Sequence, residues 1–351
     1  PGAGMAKTLR FALAAPLVLA LRQVDPRHLM RAQWGLIVTA LALAVLLIFP
    51  PAVSGTRPDT VQFSRYNTVE FGNLACLLAA LSFFSCGWRT TRYVRTEVAI
   101  KVLVGLLSLY GFLLSQTRTG WLAVPVFLAI GLAMALGASR RTRIGAVVVL
   151  AGFVAFTAFS ADGLHARFRL AFDELAQCEQ APLTDSSICI RMQLATAATH
   201  LFRQAPLVGV GDGEAYRAAL HEQQRQGVVS GYVAENFGEP HNDFLFYLSA
   251  YGLLGVIGAV FFIYLLPAWY FVRAFLGRHS RQSWFAAAMG LSLCLGFAAF
   301  GMTEMMFRSM RTASLYAVWL AVFLAVAVHP RAAAASGAPS ARVRPSQAAD
   351  E

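Results

Sequence analysis

Eight long apolar runs, near residues 33–53, 69–87, 97–115, 120–138, 144–161, 243–273, 284–303 and 312–328, dominate this chain. Each is long enough, at about 17 residues or more, to cross the roughly 30 Å hydrocarbon layer as a helix. A ninth run, 8–21, is short and carries Arg10, which makes it a marginal span. With 57% hydrophobic and 13% charged residues, the composition excludes a water-soluble globule. The fold class is an all-α polytopic membrane protein.

The 29 Lys and Arg outnumber the 18 Asp and Glu, but they are not gathered on one polar element, so no nucleic-acid partner is expected. They fall in short clusters between the apolar runs: Arg22, Arg27 and Arg31; Arg89, Arg92, Arg95 and Lys101; Arg140, Arg141 and Arg143; Arg273, Arg278 and Arg281; and Arg331, Arg342 and Arg344. If every run crosses once, all these clusters lie on one side, which the positive-inside bias makes cytoplasmic. The opposite side then receives 54–68, 116–119, a long segment over 162–242, and 304–311. The organisation expected is membrane helices over 1–161, an external region with amphipathic helices over 162–242, three membrane helices over 243–328 and a flexible cytoplasmic tail over 329–351. A crossing 8–21 run would put the amino terminus outside as well, and residue 1 is Pro, so upstream spans in odd number are expected to precede it.

Cys76, Cys86 and Cys294 fall within apolar runs, whereas Cys178 and Cys189 share the external segment. Those two are candidates for a disulfide, which requires an oxidising compartment such as a bacterial periplasm; the alternative is two unpaired small residues. No CxxC pair or His/Cys cluster points to zinc. Residues 188–204 space Ile190, Leu194, Ala197, Ala198 and Leu201 along one helical face, and Pro206 stops the helix. The run Gly209-Val210-Gly211-Asp212-Gly213 lacks the context of a nucleotide-binding fingerprint and reads as a tight connection to a second helix over 214–226.

Pro240 and His241 stand at the mouth of the next apolar run, with Asn242 and Asp243 suited to capping its helix. A single boundary histidine is, by position alone, more often a solvated or hydrogen-bonded residue than a catalyst. Gly252 and Gly255 would let membrane helices approach closely. Arg118, in Ser115-Gln116-Thr117-Arg118-Thr119-Gly120, lies on the cation-poor side, where it either snorkels to headgroups or presents its planar fork to an anion.

His241-Asn242, nine residues, Gly252, two residues, Gly255 reproduces the pattern H-[NSQ]-x9-G-x-x-G, and on it the chain resembles the bacterial O-antigen ligases. Further similar pieces are Glu70-Phe71-Gly72-Asn73, the Ser-Gln-Thr-Arg-Thr-Gly-Trp run, and Arg191 upstream of Pro206-Leu207-Val208-Gly209-Val210-Gly211. The resemblance implies an inner-membrane glycosyltransferase of the GT-C type. Its donor would be undecaprenyl-diphosphate-linked O-antigen, its acceptor a lipid A-core sugar hydroxyl, and its face the periplasmic one. The family usually has about a dozen spans, more than the runs counted here.

A diphosphate leaving group needs cationic stabilisation where charge accumulates. No D-x-D motif is present, and the acidic pair Asp212 and Glu214 lacks a clear third ligand, so Arg118 and Arg191 are the expected diphosphate clamps, with no metal and no cofactor. His241 is the expected general base for the acceptor hydroxyl, since an ordinary imidazole titrates at about 6.5. Direct attack assisted by a base inverts the anomeric centre, and resemblance points the same way. Arg65, Arg308 and Arg311 either bind core phosphates or anchor at headgroups. Glu304 orients an arginine or caps a helix, and Glu235 and Glu239 are close enough in sequence to tune His241. The rival activities are O-antigen polymerase, protein O-oligosaccharyltransferase and, from another class, transport of a lipid-linked sugar; nearly uncharged mid-span regions argue against transport. Val260, Phe261 and Phe262 either line a lipid groove or face ordinary lipid.

Overall fold

The computed structural model describes residues 11, 14–49, 68–137, 173–278 and 280–329. The run at 144–161, residues 8–10, 12 and 13 of the run 8–21, Arg65 and the tail after His329 lie outside them. In chain order the helices are α1 (Pro26–Arg31), α2 (Gln33–Ile48), α3 (Thr68–Ser85), α4 (Val94–Leu114), α5 (Val124–Leu136), α6 (Ser187–Gln204), α7 (Glu214–Arg225), α8 (Gly231–Asn236), α9 (Asp243–Ala259), α10 (Leu266–Gly277), α11 (Arg281–Gly301) and α12 (Met310–Ala327). A 3₁₀ turn over Thr119–Leu122 leads into α5, and a π-helical turn over Val260–Leu265 joins α9 to α10. Among the described residues there is no strand, and six helical stretches are long and apolar enough to cross a membrane, with Val69–Ser85 a shorter apolar helix. The protein is an all-α, multi-pass membrane protein.

Lipid tails are as apolar as leucine, so membrane helices associate by close packing rather than by escape from water. α11 shows this: small residues such as Ala286, Ala287, Gly290, Ser292, Cys294 and Gly296 are buried along its length, and neighbours crowd it on all sides. Of its apolar window 78% is buried, against 28% for Asp243–Gly277, which puts α11 at the centre and the long helix at the lipid face. Phe261 and Phe262 are accordingly exposed, at 46% and 66%, on the surface turned to lipid.

The apolar run 243–273 is not one plain span. Asp243–Gly277 is 35 residues long, and about 1.5 Å per residue makes it far longer than the hydrocarbon thickness. The excess sits at its start. Phe246 and Ala250 are buried in a separate small core with Leu194, Leu201, Tyr216, Leu220 and Val233 from α6, α7 and α8. From Leu253 and Leu254 onward one face, with Ile257, Phe262, Leu265 and Leu276, is exposed, while Ile263, Tyr264, Phe271 and Ala274 are buried in the main core. Hydropathy alone does not separate an apolar residue covered by protein from one covered by lipid.

The helical region over α6–α8 has its own determinants. The apolar face of α6 is buried as spaced, with Leu194, Ala197, Ala198 and Leu201 at 0–1% exposure, and the Ser186 hydroxyl caps its first turn by accepting from Cys189 N. Tyr216 is buried on α7, which pushes its phenol up to about 12. Ser249 Oγ donates to the Leu245 carbonyl (2.6 Å), so the Tyr216 hydroxyl, 3.2 Å away, donates to Ser249. Cys178 and Cys189 are joined by a disulfide, with Cα atoms 5.3 Å apart. Closing so short a loop stabilises by about 2–4 kcal/mol. Reduction is therefore expected to speed amide hydrogen exchange in the first turns of α6 while leaving α11 unaffected; equal exchange before and after reduction contradicts this.

Lys101 departs from the sequence reading. Counted there among the loop cations, it is fully buried inside the helix bundle, where its ammonium donates to Gln33 Oε1 (2.7 Å), the Ser85 and Trp88 carbonyls (2.9 and 2.6 Å) and Glu97 Oε1 (2.7 Å). Glu97 also accepts from the Thr90 and Thr91 amides. A buried charge persists only when paired and fully hydrogen-bonded, as this one is. The pair holds the α3–α4 turn against α2 and takes no part in topology.

Candidate active site

Several chain reversals meet at one end of the bundle. α3 begins there and α4 returns to it, so Asn73 near the start of α3 faces the turn after α4: Thr119 Oγ1 donates to Asn73 Oδ1 at 2.8 Å. α11 ends at the same place and α9 begins there. The turn between α11 and α12 is fastened to α9 by Asp243, a buried carboxylate that accepts from Met306 N (3.1 Å) and Phe307 N (3.4 Å). Asn73 Nδ2 also approaches Met306 Sδ at 3.6 Å. Three distant pieces of sequence thus share one polar cluster: Glu70 to Asn73, Thr117 to Thr119, and His241 to Asp243.

His241 stands at the centre of this cluster. Its φ of 48° is a left-handed conformation that non-glycine residues seldom adopt and that concentrates at functional sites. Asn242 follows as the N-cap of α9, its side chain accepting from Leu245 N (2.9 Å) and donating to the Met302 carbonyl (2.6 Å). The first bond caps α9 and the second fastens its start to the end of α11. His241 Nδ1 lies 2.8 Å from Glu304 Oε1, and the two side chains are 15% and 4% exposed. An ionised carboxylate only accepts, so Nδ1 is the donor here, and in the neutral imidazole that tautomer leaves the lone pair on Nε2. Phe237 packs edge-on against the ring, with centroids 5.3 Å apart.

Glu304 is the residue that sequence reasoning placed least well, since it was read as orienting an arginine or capping a helix. It orients His241 instead, from 63 residues away. Glu239, adjacent in sequence, does not touch the imidazole and forms an ion pair with Arg308. Glu70 lies within electrostatic reach of Glu304, Arg308 and Glu239, so these groups share one end of the bundle with Asp243 and His241. Arg308 is thus a partner of Glu239 as well as a surface cation. Substituting Glu304 with Gln keeps the size but removes the charge facing Nδ1. A hydrogen bond to a charged group is worth about 1.5–3 kcal/mol, so the turnover should fall by about 10- to 100-fold. Because the effect acts through His241, Glu304→Gln should lower the rate little or not at all in a His241→Ala background; additive losses would contradict the pairing.

The two arginines sit differently. Arg118 is exposed and leads the 3₁₀ turn, flanked by the buried Thr117 and Thr119 that fix the turn to α3. Arg191 is half-buried in the first turns of α6. Among the described residues neither has an ion-pair or hydrogen-bond partner, and no polar contact joins Arg191 to His241. Arg311 follows the α11–α12 turn, where Ser309 Oγ caps the start of α12 by accepting from its amide at 3.2 Å.

The spaced glycines have a role that close helix packing did not suggest. At Gly252 the helix opens, with φ 66° and ψ −164°. The segment 206–211 fills the gap and satisfies both broken ends: Val210 N and Gly211 N donate to the Ser249 and Ala250 carbonyls (3.0 and 2.9 Å), while Leu253 N and Leu254 N donate to the Pro206 and Leu207 carbonyls (2.8 and 3.2 Å). A Cβ on Gly252 would overlap the Leu207 carbonyl, and one on Gly209 would overlap Ala250. The glycine run before α7 and the glycines after His241 are therefore two halves of one joint.

With this geometry in view, the family model described as O-antigen ligase matches residues 103–260. Residues 103–260 belong to the O-antigen ligase family. The O-antigen ligase region takes in Arg118, Arg191, the 206–211 segment, His241 and Gly252; Glu70, Asn73, Glu304 and Arg308, which complete the cluster, lie outside it. No curated protein matches the chain.

Proposed function

We propose that this protein is an O-antigen ligase: a GT-C type glycosyltransferase that moves O-antigen polysaccharide from undecaprenyl diphosphate to a sugar hydroxyl of lipid A-core. The observation that carries the reading is the His241–Glu304 pair, which joins the family-matched region to the turn after α11. His241 Nε2 takes the proton of the acceptor hydroxyl as that oxygen bonds to the anomeric carbon. The bond from the anomeric carbon to the diphosphate breaks at the same time, and undecaprenyl diphosphate leaves with the electron pair. Attack opposite the leaving group inverts the centre. Arg118 and Arg191, both without a protein counter-charge among the described residues, neutralise the departing diphosphate, a task that guanidinium geometry suits. On this reading the reaction needs no metal.

The charge distribution supports a periplasmic site. α3 is 18 residues long, so its two ends stand about 27 Å apart. Arg89, Arg92, Arg95, Arg273, Arg278 and Arg281 gather at the end away from His241, as the positive-inside rule requires of a cytoplasmic face.

The test is transfer in liposomes with the lipid-linked donor, lipid A-core and EDTA present. Glycan appearing on lipid A-core is the expected result. Lengthening of the lipid-linked glycan would make the protein a polymerase, glycan on a protein acceptor would make it an oligosaccharyltransferase, and donor binding without any transfer would leave transport.

A further inference from the structure

The end of the bundle away from His241 carries a second feature that transfer chemistry does not use. An open groove of about 590 Å³ runs along the outer face of α4, with Arg89 and Arg95 at its mouth. Its wall is a stripe of Val98, Val102 and Leu106, with Leu103 beside them. Residues four apart stack on one helical face, so the stripe extends about 12 Å up α4, from the polar boundary toward mid-membrane.

The arginines here have no counter-charge. Arg281, at the start of α11, lies within electrostatic reach of Arg89, and Trp88 Nε1 donates to the Gln282 carbonyl at 3.1 Å, which fastens the two segments side by side. Among the described residues none of Arg89, Arg95 and Arg281 has an acidic partner. Glu97, the carboxylate nearest them on α4, is turned into the bundle and engaged by Lys101. Cations held together repel one another unless an anion joins them. A cationic mouth above an apolar stripe matches one amphipathic anion in shape and polarity: a phosphate at the boundary, with an acyl chain along the helix.

We propose that this groove binds an anionic phospholipid of the membrane leaflet opposite His241, its phosphate between Arg89 and Arg95 and one acyl chain along Val98, Val102 and Leu106. The assignment is independent of what the His241 end does.

The experiment is native mass spectrometry of the full chain in detergent, titrated with phosphatidylglycerol or with phosphatidylcholine of the same acyl chains. Wild type is expected to retain phosphatidylglycerol in preference to phosphatidylcholine. The double variant Arg89→Gln/Arg95→Gln should bind it at least about tenfold more weakly. Val102→Trp, which fills the groove and leaves the charges in place, should weaken it as well, while Arg225→Gln, far away on α7, should not. Melting without added lipid shows that each variant is folded. Equal retention of the two lipids, unchanged binding by either groove variant, or displacement by millimolar inorganic phosphate would overturn the proposal, the last by showing a simple anion site.

Discussion

A His241→Ala protein is expected to bind its lipid-linked donor and to transfer glycan about 10²- to 10⁴-fold more slowly than wild type, the usual worth of a positioned general base. The expectation follows from the direction of the imidazole. Glu304 takes Nδ1, so Nε2 is the nitrogen left to meet a hydroxyl, and the strained backbone at residue 241 shows that the surroundings over-determine this pose. Removing the ring leaves Glu304 buried with its Met305 amide bond but without its larger partner. The fold should survive, because the caps on either side belong to Asn242 and Asp243. The check is a steady-state comparison at saturating donor, read together with melting temperature. A kcat close to wild type would remove His241 from the chemistry.

Gly252→Ala should have a large structural effect for a single added methyl. The backbone at φ 66° and ψ −164° lies in a region essentially reserved for glycine. An alanine must either pay about 1–3 kcal/mol of strain there or close the helix and expel the segment 206–211 with its four backbone bonds. Each of those bonds is worth about 0.5–1.5 kcal/mol net. The lower-energy route sets the loss, about 1–3 kcal/mol of strain with the overlap against Leu207 in addition, and thermal melting in detergent should drop by several degrees. Gly258→Ala, six residues on, is the control: a Cβ there meets nothing, so a helical alanine should be neutral or slightly stabilising. Equal melting of the two variants would show that the joint does not carry the load described.

The joint also explains why the periplasmic reading of the sequence stopped short. The amphipathic face of α6 was legible because one face of one helix is written at a fixed spacing. The glycines were not, because each half of the joint is unremarkable alone, and the reason for either glycine lies in a backbone more than forty residues away. The same limit applied to Glu304. A carboxylate near His241 in sequence, Glu239, looked the better partner, yet the partner in space comes from the turn between α11 and α12, which Asn242 and Asp243 fasten to α9 by hydrogen bonds. Lys101 shows the converse. Positive charge near the end of an apolar run is the ordinary signal for a loop, and only the convergence of Gln33, Ser85, Trp88 and Glu97 on its ammonium makes it an interior residue. The long apolar helices among the described residues and the buried face of α6 were readable from local pattern, whereas partners brought together by folding were not.

The division of labour between base and clamps is the centre of this account, and one measurement addresses it: donor binding and single-turnover transfer to lipid A-core, recorded on the same preparations of wild type, His241→Ala, Arg118→Gln and Arg191→Gln. The account predicts that His241→Ala binds donor as wild type does and fails to transfer it, whereas the two arginine variants bind donor more weakly. Transfer by His241→Ala at the wild-type rate, or unchanged donor binding in both arginine variants, would contradict it.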